Sequence, residues 1–60
     1  MTKVTYLYEL LRLKKYMKLS IFAKEAGISQ SNLSHFMGGR LDIISLNKLE
    51  LMFQKMRSVI

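Results

Sequence analysis

The chain has 60 residues, half of them apolar, and ten basic against four acidic residues give a formal charge of +6. That length holds one domain, spanning residues 1–60, which buries only about 60% of the surface its unfolded form exposes, with no Cys to staple it. The composition excludes a disordered tail, apolar runs of at most three residues exclude a membrane span or signal-peptide core, and the charge favours a polyanionic partner.

The first predicted helix covers residues 4–17. Tyr6, Leu10, Leu13 and Met17 recur at helical spacing, with Leu7 and Leu11 widening the stripe, and Thr2 or Thr5 can cap its start. A second, short helix is predicted over 20–26, with Ser20 as N-cap and Phe22, Ala23 and Ala26 facing inward. Gly27 stops it, as the residue after a helix end that must take positive φ. Ser29 caps a third helix running to about Met37, with Leu33, Phe36 and Met37 on one face. Gly38 and Gly39 end it, and residues 39–44 read as a loop. Ser45 caps a fourth helix to about Arg57, whose apolar face holds Leu46, Leu49, Met52, Phe53 and Met56. The fold class expected is all-α, a compact unit of four helices with room for a fifth.

The segment richest in information is Leu19 to Gly39, LSIFAKEAGISQSNLSHFMGG. Two short helices joined by a tight turn need a small residue where they cross, which Ala23 supplies. They need a Gly at the turn, and apolar plugs that fix the angle, here Phe22, Ile28, Leu33 and Phe36. This is the helix-turn-helix arrangement. With Leu33 pointing inward and about 100° per residue, Ser31 and His35 point outward, flanked by Asn32 and Ser34. Gln30 sits at the first turn. The face is uncharged but dense in donors and acceptors, where a merely solvated helix carries Lys and Glu. Such chemistry suits base edges, and Gln or Asn pairs bidentately with adenine. The expected base contacts are Gln30, Ser31, Asn32 and His35. The expected backbone contacts are Ser29, Ser34, Arg40 and Lys18, with Lys14 and Lys15 extending the basic run.

These residues carry a resemblance. Phe22-Ala23, Ala26-Gly27, Ile28-Ser29, Leu33-Ser34 and Phe36 fall on the apolar, small and turn positions of the phage repressor and Cro superfamily, and also resemble the headpiece of lac-repressor-type regulators. Gln30-Ser31 stands where lambda repressor also carries Gln-Ser, and Ser45-Leu46 with Leu49 match the start of the next helix. The likeness extends over about residues 5–57. It departs from the family at Leu19, where a phosphate-contacting Gln is frequent, and at Ile44, where Pro is frequent. The resemblance implies a lambda-repressor-like fold and a sequence-specific repressor of phage or mobile-element type that acts by occluding a promoter. It implies double-stranded DNA with a palindromic operator as partner, in the cytoplasm of a bacterial host, at the nucleoid.

A homodimer is expected, formed fully only on DNA, because one helix-turn-helix makes few base contacts. The apolar end of the chain, Met52, Phe53, Met56, Val59 and Ile60, is the expected interface. The alternative is that Met56, Val59 and Ile60 fold back on Leu7 and Leu11. One His, no Cys and four scattered acids (Glu9, Glu25, Asp42 and Glu50) offer no nucleophile with a base and no metal-ligand set. No catalytic residue, metal, cofactor, small-molecule ligand or membrane role is therefore expected. The competing function is a protein-binding module on the same fold: an antirepressor, an antitoxin, or an inhibitor of another nucleic-acid machine.

Overall fold

A computed structural model describes residues 1–59. Among them are four α-helices, one 3-10 turn and no strand. The helices are α1 (Lys3–Leu13), α2 (Leu19–Glu25), α3 (Gln30–Met37) and α4 (Leu46–Arg57), and the 3-10 turn is Leu41–Ile43. The all-α expectation holds. No helix among the described residues is long and apolar enough to cross a membrane.

Three of the four helices start where a hydroxyl caps them. Thr2 Oγ1 accepts from the Thr5 backbone N–H at 3.2 Å, Ser29 Oγ from that of Asn32 at 3.1 Å, and Ser45 Oγ from that of Lys48 at 3.3 Å. Each bond satisfies one of the orphan N–H groups at a helix start. The start of α2 differs from expectation. Lys18 occupies the N-cap and makes no side-chain cap bond, and Ser20 lies inside the helix. The reason is Leu19, which is buried at the first helical position. Its burial sets the start, and Ser20 is carried into the first turn.

The first helix also ends earlier than expected, at Leu13 rather than residue 17. The N–H groups of Tyr16 and Met17 both turn back to the Leu13 carbonyl, at 2.9 and 3.2 Å. Met17 still packs against the core. The turn therefore returns residue 17 to the side on which a longer helix would have placed it.

One core serves the whole molecule. Tyr6 and Leu10 come from α1, Leu19, Phe22 and Ala23 from α2, Leu33 and Phe36 from α3, and Leu49, Met52, Phe53 and Met56 from α4. Ala26, Ile28 and Ile44 fill in from the connections. No polar or charged side chain is buried among the described residues, so apolar burial supplies the interior stabilisation. Tyr6 and Phe53 join α1 to α4 with ring centroids 4.7 Å apart and planes tilted by 52°, a separation and tilt at which aromatic rings attract. Leu46, expected on the inner face of α4, is exposed at its start.

Candidate nucleic-acid interface

The geometry of α3 follows from two matched helix ends. At the end of α2, the Ile28 N–H donates to the Ala23 carbonyl at 2.8 Å and the Gly27 N–H to the Lys24 carbonyl at 3.1 Å. At the end of α3, the Arg40 N–H donates to the His35 carbonyl at 3.0 Å and the Gly39 N–H to the Phe36 carbonyl at 2.9 Å. Both are Schellman terminations, which need a left-handed residue after the cap. Gly27 (φ +76°) and Gly39 (φ +113°) provide it. The first termination delivers the buried Ile28 and then Ser29 in extended backbone, which opens α3 at once. The second turns the chain away after Met37. The result is a short eight-residue helix, about 12 Å long.

Leu33 and Phe36 anchor α3 to the core. Burial of two such side chains is worth about 1.5–3 kcal/mol each, which fixes the opposite face outward. Gln30, Ser31, Ser34 and His35 are exposed there and Asn32 is half-buried. None of the four helices carries an acidic residue in its first turn, so the positive end of each helix dipole is not neutralised from within.

A shallow depression of about 270 Å³ lies at the start of α3, lined by Ser20, Ile21, Lys24, Ile28, Ser29 and Gln30. It brings Ser29 and Gln30 together with three α2 residues not expected at the site: Ser20, expected only as a helix cap, and Ile21 and Lys24. The available signal was the outer face of α2. Residues 20, 21 and 24 share one side of a helix whose inner side is Phe22, Ala23 and Ala26. Lys48 was also missed. Its Nζ donates to the Gly27 carbonyl at 3.2 Å, tying the first turn of α4 to the α2–α3 turn. It is the one side-chain hydrogen bond among the described residues that joins distant parts of the chain.

The remaining residues expected to contact a DNA backbone are more dispersed. Lys18, with Lys14 and Lys15, is exposed in and around the α1–α2 connection. Arg40 is exposed beyond the far end of α3, with its Nε 4.0 Å from an Asp42 carboxylate oxygen. On α1, Arg12 donates to Glu9 at 2.6 Å. That hydrogen bond, with the Glu9 charge, raises the guanidinium pKa further above its ordinary value.

The expected dimer interface needs correction. Met52, Phe53 and Met56 are 0%, 8% and 1% exposed within the single chain, so they are core residues and not a contact surface. Phe53 packs against Tyr6 of the same chain with tilted rings. The α4 stripe that looked surplus to one core is needed, because α4 packs against both α1 and α2. Val59 is exposed, and Ile60 lies outside the described residues.

Comparison with family models, curated proteins and solved structures finds no match. The functional reading therefore rests on the chemistry of the residues themselves.

Proposed function

We propose that this chain is a sequence-specific double-stranded DNA-binding regulator of the phage repressor and Cro type, which acts by occluding a promoter. One observation carries the reading: α3 is anchored by Leu33 and Phe36 and turns an uncharged, hydrogen-bonding face of Gln30, Ser31, Ser34 and His35 to solvent, in a chain of charge +6. In this reading α3 enters a major groove, and Gln30 reads adenine through its amide. Lys18, Lys24 and Arg40 hold the flanking phosphates, and Ser29 and the free N–H groups of the first turn meet another.

The chain acts as a two-fold pair on a palindromic site. With Cα extents of 27 × 22 × 21 Å, each copy is narrower than the roughly 34 Å between major-groove faces one helical turn apart. That size suits two copies side by side on one face of the duplex. The competing role is protein binding, and it finds its support in the exposed Val4 and Tyr8 on α1.

Salt separates the two. Affinity for duplex DNA, measured by fluorescence anisotropy from about 50 to 200 mM salt, should fall steeply and linearly on logarithmic axes, by about tenfold or more for several phosphate contacts. An affinity for DNA that is absent, or flat with salt, would overturn the proposal.

A further inference from the structure

The depression beside Gln30 contains a side chain that neither the core nor the charge pattern explains. Ile21 stands on the outer side of α2 with 56% of its surface open. It shares the depression with Ser20, Lys24, Ser29 and Gln30, over Ile28. The neighbouring groups narrow down what can meet it. The Gln30 amide offers the donor and acceptor that match adenine N6 and N7. Lys24 offers a cation suited to a phosphate. An isoleucine lining the same depression calls for an apolar group on the same ligand. On the major-groove edge of DNA the apolar group is the C5 methyl of thymine. An adenine read by Gln30 carries such a methyl on its own pairing partner, and an adjacent thymine presents another.

Resting on the DNA-reading role proposed above, we infer that Ile21 is a specificity-determining residue that packs on a thymine methyl group beside the adenine read by Gln30. The two side chains then select an A·T-containing step by different chemistries. Gln30 recognises hydrogen-bonding atoms, and Ile21 recognises the methyl group.

The test starts with selection of a binding site by the full chain from random duplex DNA. Each thymine of the recovered site is then replaced in turn by deoxyuridine, which removes the C5 methyl and leaves the hydrogen-bonding edge intact. For the wild-type chain, one such replacement next to the adenine read by Gln30 should weaken binding about fourfold, the value of one methyl group returned to water. Ile21→Ala, at an exposed position that leaves the core untouched, should bind the two DNAs equally. Ile21→Val should keep part of the difference, and Gln30→Ala should keep all of it. A wild-type chain indifferent to every thymine methyl, or a penalty undiminished in Ile21→Ala, overturns the inference while DNA binding stands. Failure to recover any site overturns the DNA-reading role and the inference with it.

Discussion

Gln30 concentrates the functional case at the scale of one residue. It follows the Ser29 cap at the first position of α3 and is exposed, and its amide makes no hydrogen bond among the described residues. Gln30→Ala is expected to lower affinity for the selected site by about 1–3 kcal/mol, with little change on random DNA, by competition binding. Equal loss on both would assign Gln30 to backbone positioning. Gly27 makes the structural case. Its φ of +76° is left-handed, and a Cβ there would meet nothing within 4 Å. The requirement is therefore conformational, not steric. Gly27→Ala should cost about 1–2 kcal/mol, as should Gly39→Ala. Gly38→Ala should cost far less, since Gly38 has negative φ and the added methyl lies 3.4 Å from the His35 carbonyl oxygen. Urea unfolding of the three variants checks the order.

At the scale of elements, Ala23, the small residue expected where α2 and α3 cross, is fully buried at 0% exposure. A larger side chain there has no space to enter. Ala23→Leu should destabilise the fold by about 1–3 kcal/mol, a large fraction of the stability of so small a domain, read as a lowered urea midpoint. An unchanged midpoint would mean that the two helices do not approach closely at Ala23. Local chemistry made much of this legible in the sequence. Ser29 and Ser45 marked helix starts, Gly27 a helix end, and the inward period of Leu33 and Phe36 set the outward face of α3. The reading went astray where tertiary packing outweighed local signals. Burial of Leu19 moved the start of α2 ahead of Ser20, which therefore does not cap it. The turn after Leu13 brought Met17 back to the core and so mimicked another helical turn. The apolar end of α4 looked surplus because its neighbours on α1 and α2 were not visible in sequence. Ser20, Ile21 and Lys24 join Gln30 only when the α2–α3 turn is closed, so one-helix periodicity did not reveal the depression.

For the whole molecule, apolar burial and charge are kept apart. The interior holds no charged or polar side chain among the described residues, and the +6 charge lies outside, free to attract phosphate. With Met52, Phe53 and Met56 committed to that interior, pairing of two copies draws on little apolar surface from α4. On the proposed pairing, two copies are expected to associate weakly in solution and firmly only on DNA, as small interfaces do. Sequence reading by α3 in a two-fold pair is the central claim, and a chemical footprint on the selected DNA site tests it most directly. Two protected major-groove segments related by a dyad and centred about one helical turn, roughly 34 Å, apart are expected, with protection lost at the specific site in Gln30→Ala. Uniform protection along the duplex, or protection of a single half-site by the intact chain, would contradict it.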